Sequence, residues 1–368
     1  MSKVKETTLF IDLKALEHNF NFIKSKISSD TKLMAVVKAF AYGTDSCAIA
    51  KKLESLDVDY FAVAYAKEGI ALRDAGITKP ILVLHPQSAY FESIIERCLE
   101  PNLYSFFTLK TFIKVAKEKA QNNYPIHLKF NTGLNRLGFS YEDIDDISNI
   151  INHSSEVKLN SILSHLAASE DPNEMDFTKS QIERFKIISE CLEKNIPTSF
   201  LKHLCNTSGI LNYPEAHLDM VRCGIGLHGY GNSTEIDKQL KPIATLKTII
   251  SQTHHLKPGD SLGYNRGFKA IKPMQTATIP IGHADGISRI YGKGNGIVFV
   301  NDKPAPILGN VCMDMIMVDV TNIDCNIGDE VIIFGPHHSA EIFANNAQTI
   351  SYELLTALSQ RIKRVIID

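Results

Sequence analysis

Short apolar segments recur along the first two thirds of the chain, and segments with helical periodicity separate them. Their length and β-branched content favour buried strands over helices. Strands that alternate with helices pair in parallel, and eight at this spacing predict an α/β fold with a closed (β/α)₈ barrel. The predicted barrel strands are Leu33–Val37, Tyr60–Ala64, Ile81–Leu84, Leu103–Phe106, Ile126–Phe130, Leu159–His165, Ser199–His203 and Met220–Arg222.

An open, doubly wound sheet is the alternative fold for such an alternating pattern. Dinucleotide-binding sheets of that type carry a G-x-G-x-x-G turn after their first strand. The first predicted strand is followed by Lys38-Ala39-Phe40-Ala41-Tyr42-Gly43 instead. The closed barrel is therefore the favoured prediction.

The pattern of predicted elements changes after about residue 232. Strand-like runs joined by Pro-Gly-Asp and Gly-rich turns replace the alternation and predict a mostly antiparallel β domain. We therefore divide the chain into a barrel over residues 1–235 and a β domain over residues 236–368, with residues 1–11 expected to add a strand to the β domain. The predicted strands of this domain are 244–250, 276–281, 296–300, 315–320 and 330–334, followed by helices at 339–345 and 350–359.

Composition limits the functional classes open to these 368 residues. The net charge is −2 and the basic residues are scattered, so no electrostatic footprint for nucleic acid is present. No apolar run approaches the length of a membrane span, and the N-terminus lacks a signal-peptide core. The seven cysteines form no C-x-x-C pair, which favours reduced thiols in the cytoplasm over disulfides or a zinc site.

Polar residues stand repeatedly at the carboxyl ends of the predicted barrel strands, where barrels place their chemistry. Each alone has a structural explanation, since strand-end lysines extend to solvent and single histidines are usually hydrogen-bonded core residues. No metal-binding spacing such as H-E-x-x-H accompanies them, so Schiff-base chemistry on a lysine is more plausible than metal chemistry. These strand-end residues are Lys38, Lys129, His165, His203 and Arg222.

Distinctive motifs stand at residues 37–43, 131–138, 222–225, 259–264, 282–286, 311–314 and 349–353. Together they resemble the motifs of the alanine racemases, a family of pyridoxal-phosphate-dependent enzymes of fold type III. They keep the family's order and extend over essentially the whole chain. The resemblance implies an isomerase that interconverts L- and D-alanine for peptidoglycan, acting as a homodimer with shared active sites and without nucleic acid, membrane or metal.

The resemblance assigns the chemistry to two bases on opposite faces of the substrate. Lys38 would hold pyridoxal 5′-phosphate and serve as one base, and Tyr264 of the partner chain would serve as the other. Arg222 would face the ring nitrogen of the cofactor. An arginine there suits racemisation because it cannot readily give up a proton, whereas decarboxylases on a similar barrel use a carboxylate.

The remaining roles also come from the resemblance. Arg136 and the backbone N–H of Met313 from the partner would bind the substrate carboxylate. His165 and His203 would support Arg222 and Tyr264, and Asp314 would also support the site from behind. Lys129 is either a carbamylated lysine that pairs with Arg136 or an ordinary strand-end lysine. The other cofactor contacts would be Tyr42, His165, Asn206, Thr207, Gly224, Ile225 and Tyr352.

Six residues depart from the family's usual pattern, namely Phe40, Thr44, Asp45, Asn131, His283 and Asn310. They leave the substrate range open, so a racemase of serine or of several amino acids is an alternative within the class. An alternative of another class is a noncatalytic pyridoxal-phosphate-binding barrel. That type of protein has a single domain and no equivalent of Tyr264, whereas this sequence contains both the β domain and the tyrosine.

Overall fold

The computed structural model describes residues 4–368, and its first part is a closed barrel of eight parallel strands. The last barrel strand pairs with the first, with Lys32 opposite Met220, so the sheet has no free edge. The predicted (β/α)₈ architecture is confirmed. The strands up to this point are β1 (Thr8–Asp12), which lies outside the barrel, and the barrel strands β2 (Lys32–Val36), β3 (Tyr60–Val63), β4 (Ile81–Val83), β5 (Glu100–Leu103), β6 (Tyr124–Lys129), β7 (Val157–Leu163), β8 (Leu201–His203) and β9 (Met220–Cys223).

Amphipathic helices surround the barrel and bury their apolar faces against it. The first of them begins after Asp12, whose carboxylate accepts a hydrogen bond from the N–H of Ala15 at 2.9 Å, a standard N-terminal cap. No helix in the described part of the chain is long and apolar enough to cross a membrane. The α-helices of this part are Leu13–Lys24, Ser46–Ser55, Ala66–Asp74, Phe91–Glu96, Phe106–Glu118, Ile144–Asn152, Met175–Asn195 and Thr207–Asn212.

The second part of the chain forms a nine-stranded sheet that is antiparallel except where β1 meets the last strand. Of the segment 1–11 that we assigned to it, residues 1–3 lie outside the described residues, and β1 is hydrogen-bonded between the first and last strands of this domain. Helices Thr234–Asp237, Ala340–Asn345 and Ser351–Ala357 accompany the sheet. Its strands, with a separate small hairpin at β12 and β13, are β10 (Ala244–Ile249), β11 (Gln252–Leu256), β12 (Ser261–Leu262), β13 (Phe268–Lys269), β14 (Met274–Ile279), β15 (Ile297–Val300), β16 (Lys303–Leu308), β17 (Ile316–Asp319), β18 (Glu330–Phe334) and β19 (Lys363–Ile367).

Several strands differ from the sequence prediction, because β11, β12, β13, β16 and β19 of the second part were not predicted and one barrel strand is displaced. The sequence predicts the fourth barrel strand at residues 103–106, but β5 begins at Glu100 and ends at Leu103, because Ser105 already caps the following helix. Strand β16 was missed, since Pro304 and Pro306 interrupt its pattern and proline lacks a backbone donor. Contacts with neighbouring strands allow both exceptions. Glu100 receives a hydrogen bond from His127 on the next strand, and the backbone of β16 pairs with β15 despite its two prolines.

Candidate active site

A cavity of about 550 Å³ opens at the carboxyl ends of the barrel strands. None of the residues that line it, all within the described range, is acidic, whereas two lysines and two arginines are among them. Such a surface fits an anionic ligand. The residues predicted for the site that line this cavity are Lys38, Tyr42, Lys129, Arg136, His165, Asn206, Thr207, Arg222, Gly224, Ile225 and Tyr352.

Lys38 follows β2 and begins a turn with left-handed backbone geometry. Four consecutive residues, 39–42, have φ between 49° and 55°, and Gly43 follows with φ of 81°. Left-handed geometry costs L-residues roughly 1–2 kcal/mol each, so surrounding contacts must hold this turn. It brings the Tyr42 ring back into the cavity that also contains the Lys38 side chain.

Glu68 supplies one of the contacts that hold this turn, although sequence reasoning did not select it. Its carboxylate accepts hydrogen bonds from the N–H groups of Ala39 at 2.6 Å and Ala64 at 2.7 Å. The carboxylate therefore ties the turn after β2 to the end of β3. A signal for it was present in the sequence, because Glu68 lies just beyond a predicted barrel strand, in the first turn of the next helix.

Burial lowers the pKa of Lys38, and the positive charges of Arg136 and Arg222 lower it further, while Glu68 acts in the opposite direction. The same causes lower the pKa of Lys129 to about 8, with burial the largest and the charges of Arg222, Arg136 and Lys38 following. A lysine with a lowered pKa has more of its amine in the neutral form, which is the form that acts as base or nucleophile.

Arg222 on β9 is buried, and its guanidinium donates only to uncharged acceptors. Its Nη1 lies 2.8 Å from Nδ1 of His203, and its Nη2 lies 3.2 Å from Nδ1 of His165 and 2.7 Å from the carbonyl oxygen of Ser164. Burial lowers the pKa of Arg222 to about 10, which still leaves it a cation at neutral pH. Burial and the Arg222 charge hold the pKa values of both histidines well below 6.5, so both imidazoles are neutral acceptors.

Backbone and hydroxyl groups after β8 and β9 form an anion-binding cradle. Ile225 is the first residue of a 3₁₀ turn, and the first N–H groups of a helical turn have no partner within it. Thr207 Oγ1 accepts from the N–H of Gly224 at 3.3 Å and thereby fixes this backbone. Burial keeps the Tyr42 and Tyr352 phenols protonated, raising the pKa of Tyr352 to about 12 and that of Tyr42 further, so both are hydrogen-bond donors.

The shape of the cradle requires a glycine at position 224, which has no side chain. A Cβ atom on Gly224 would lie 2.1 Å from the phenolic oxygen of Tyr42, so only glycine leaves the phenol in its position. Together with the lysine amine and the buried guanidinium, these donors fit a ligand that has a phosphate, an aromatic nitrogen and a carbonyl carbon. Pyridoxal phosphate has these three groups. No cluster of metal-ligating side chains occurs among residues 4–368.

Three predicted residues do not line this cavity and lie in the β domain. Tyr264 and Met313 are exposed by 74% and 59% of their surface. Arg361 binds both oxygens of Asp285 and also contacts Asp314 at 2.7 Å, which secures the loop that carries Met313. A single chain thus exposes Tyr264 and Met313 to solvent, and neither contributes to the lining of its own cavity. His203, the other predicted supporting residue, lies behind Arg222.

Comparison with known proteins gives one consistent family. Residues 11–232 match the model of the alanine racemase N-terminal domain, and residues 243–366 match that of the C-terminal domain. The chain is 36% identical to alanine racemase 2 of Caldanaerobacter subterraneus subsp. tengcongensis, over 99% of this chain and 96% of that protein. It is 37% identical to alanine racemase of Clostridium tetani, over 97% and 94% of the two chains.

Solved structures resemble the whole chain as well. Alanine racemase of Clostridium difficile 630 superposes with a TM-score of 0.93 at 34% identity, covering 99% of this chain and 96% of that one. Alanine racemase of Bartonella henselae, solved with covalently bound pyridoxal phosphate, gives a TM-score of 0.90 at 29% identity over 99% and 100% of the two chains. The likeness therefore extends over the barrel and the β domain alike.

Proposed function

The chain belongs to the alanine racemase family of isomerases, and from this we propose that it interconverts L-alanine and D-alanine with pyridoxal 5′-phosphate. The observation that carries the proposal is the cavity in which Lys38, Arg222 and the Gly224–Ile225 cradle face one another. D-Alanine made in this way would supply peptidoglycan synthesis.

The residues that would hold the cofactor are those of the cradle. The N–H groups of Gly224 and Ile225 and the phenols of Tyr42 and Tyr352 would bind its phosphate, supported by Thr207 and Asn206. Arg222 and His165 would lie toward its ring, and Lys38 would carry it. Pyridoxal phosphate, when bound, withdraws electrons from the substrate Cα and so makes the proton on that carbon removable.

Lys38 would move a proton at its Nζ atom on one face of the substrate. A general base works best when its pKa lies near the working pH, and the cavity lowers the pKa of Lys38 in that direction. Because the turn that follows Lys38 is tied to Glu68, the amine approaches the cavity from a fixed side. A second base must then act from the opposite side.

Tyr264 from a second copy of the chain is our candidate for that base. It lies outside its own chain's cavity and is largely exposed, as a group offered to a partner would be. Met313, whose N–H would bind the substrate carboxylate together with Arg136, is exposed in the same domain. A homodimer with shared sites accounts for both.

Arg222 would keep the ring nitrogen of the cofactor unprotonated. A guanidinium donates hydrogen bonds but does not readily transfer its proton, so Arg222 would contact that nitrogen without protonating it. With Arg222 in this place, the cofactor would withdraw fewer electrons than a protonated ring, which would disfavour side reactions such as transamination. Lys129, whose pKa of about 8 leaves part of its amine neutral, is our candidate for carbamylation beside Arg136.

The test is racemisation of each alanine enantiomer by purified protein supplied with pyridoxal phosphate, followed by circular dichroism. We expect both enantiomers to reach the same mixture, with Lys38→Ala inactive and the exposed-lysine control Lys158→Ala fully active. Protein that binds the cofactor and racemises no amino acid would overturn the proposal. A screen of the common L-amino acids, including serine, defines the substrate range.

A further inference from the structure

A chain of buried side chains leads from Arg222 through the barrel interior, away from the cavity. His203 Nδ1 lies 2.8 Å from Arg222 Nη1, and His203 Nε2 lies 2.8 Å from Ser161 Oγ. Ser161 Oγ lies 2.5 Å from His127 Nδ1, and His127 Nε2 lies 2.6 Å from Glu100 Oε2. The five residues come from successive strands, β9 to β5, so the hydrogen bonds cross the barrel from its carboxyl end to its amino end.

With a donor at the Arg222 end and a carboxylate acceptor at the Glu100 end, the hydrogen atoms of this series point in one direction. Arginine has donors and no acceptor, so Nδ1 of His203 must accept, and the neutral ring then carries its hydrogen on Nε2. That hydrogen goes to Ser161 Oγ, which leaves the single hydrogen of the Ser161 hydroxyl free to be donated to Nδ1 of His127. The hydrogen of His127 is therefore on Nε2 and is donated to Glu100.

Glu100 is well suited to accept the last hydrogen bond of this series, from His127. Its side chain is 12% exposed, and one carboxylate oxygen, Oε2, also receives hydrogen bonds from Tyr60 at 2.8 Å and Asn160 at 3.2 Å. Burial alone would raise the pKa of Glu100, but these donors, His127 first among them, hold it below its usual value. The carboxylate is therefore ionised.

The buried Arg222 cation has no acidic residue among its direct partners, which are carbonyl oxygens and two imidazoles. A buried charge without a counter-charge is costly, and a hydrogen-bonded chain in a low-dielectric interior transmits polarisation between its ends. Resting on the proposed function, we propose that Glu100 is a positioning residue for Arg222. Acting through His127, Ser161 and His203, its charge fixes the histidine tautomers and the guanidinium that faces the cofactor ring.

Glu100→Gln tests the direction of the chain because an amide can donate as well as accept. If glutamine donates to His127 Nε2, the hydrogens reverse along the chain and His203 presents Nδ1–H to Arg222, which has only donors. The guanidinium must then turn away. Ser161→Ala interrupts the same chain without changing any charge, so the inference can still be tested if Glu100→Gln folds poorly.

The experiment uses the protein loaded with pyridoxal phosphate and measures the tautomers of His127 and His203 by ¹⁵N NMR, the absorption spectrum of the bound cofactor, and kcat and KM. Asp219→Asn is the matched control. Asp219 lies, like Glu100, at the amino end of the barrel, and its carboxylate accepts from the N–H of Lys202, which is not part of the hydrogen-bonded series from Arg222 to Glu100. We expect Glu100→Gln and Ser161→Ala to change the tautomers and the spectrum and to lower kcat by roughly tenfold or more, the order found for partners behind an active group. KM should change less, and Glu100→Asp should recover part of kcat.

Tautomers and spectrum that match those of Asp219→Asn in both variants would overturn the role of Glu100. This outcome differs from a failure of the proposed function, in which the unsubstituted protein racemises no amino acid. The histidine tautomers are measurable in either case, so the two hypotheses are decided separately.

Discussion

A methyl group on Gly224 would lie 2.1 Å from the phenolic oxygen of Tyr42 and 2.8 Å from the ring carbon that carries it. The Tyr42 phenol thus packs directly against the backbone of Gly224, and no additional atom fits between them. Both groups belong to the cradle that we propose for the cofactor phosphate. The consequence can be measured as cofactor affinity.

Gly224→Ala should weaken binding of pyridoxal phosphate by roughly ten- to a hundredfold, because overpacking of this kind costs about 1–3 kcal/mol. Titration of the cofactor followed by absorbance measures the effect. In a double-mutant cycle with Tyr42→Phe, loss of the phenolic oxygen should make the added methyl less harmful. Strictly additive effects of the two substitutions would contradict a shared space.

Gly43→Ala should destabilise the protein more than Gly76→Ala does. Both glycines have positive φ, 81° and 91°, so both substitutions carry the same backbone penalty. A Cβ on Gly43 would also lie 1.9 Å from the carbonyl oxygen of Leu355 in the β domain, whereas one on Gly76 meets nothing within 4 Å. We expect Gly43→Ala to lose about 1–3 kcal/mol beyond the control in urea denaturation. Equal losses would show that the contact between the left-handed turn and the β domain yields easily.

Lys129 should give stability a dependence on pH in the alkaline range. Its pKa is about 8 in the folded protein against 10.5 as the ordinary value, so between these values the unfolded chain binds more protons. The free energy of unfolding contributed by this lysine therefore rises as the pH rises through that window. In buffer free of carbon dioxide, Lys129→Met should remove this rise, and Lys158→Met, an exposed residue of β7, should retain it. Parallel pH profiles for Lys129→Met and the unsubstituted protein would contradict the prediction.

Sites shared across a homodimer should be restored by mixing inactive variants. Lys38→Ala and Tyr264→Phe chains each lack one base, but a mixed dimer contains one cavity with Lys38 and a partner Tyr264. Random subunit exchange should recover about a quarter of the unsubstituted activity, since half the dimers are mixed and each has one intact site. The matched control mixes Lys38→Ala with Arg222→Ala, whose losses lie in the same chain's cavity, and should recover none. Failure of the first mixture after demonstrated exchange would exclude shared sites.

The sequence predicted the barrel because strand formation there depends on local patterns. Leu33–Val37 and Tyr60–Ala64 were recognised from length and β-branched content, and parallel closure follows from alternation with helices. It also predicted Lys38, Lys129 and Arg222 at the carboxyl ends of strands, and the structure has them in one cavity. Their roles remain predictions, as do the domain boundary at residue 235 and the partner's Tyr264.

Strands that depend on distant partners were harder to predict. Glu100 at the start of β5 is a charged residue in a buried strand, which local patterning assigns to a loop, and the structure accommodates it with a hydrogen bond from His127. Pro304 and Pro306 in β16 lower the local preference for a strand, yet β15 and β17 enclose it from both sides. Burial and pairing in the folded protein override the local preference in both cases.

The sequence by itself determined the barrel, the antiparallel second domain and the identity of the polar groups at the strand ends. These features follow from the period of apolar residues and from turn chemistry, which act over a few neighbouring residues. Only the tertiary structure decided the left-handed turn after Lys38, the solvent exposure of Tyr264 and the chain of hydrogen bonds from Arg222 to Glu100. Each of these depends on groups far apart in the sequence, whose contacts arise only when the barrel closes and its interior excludes water.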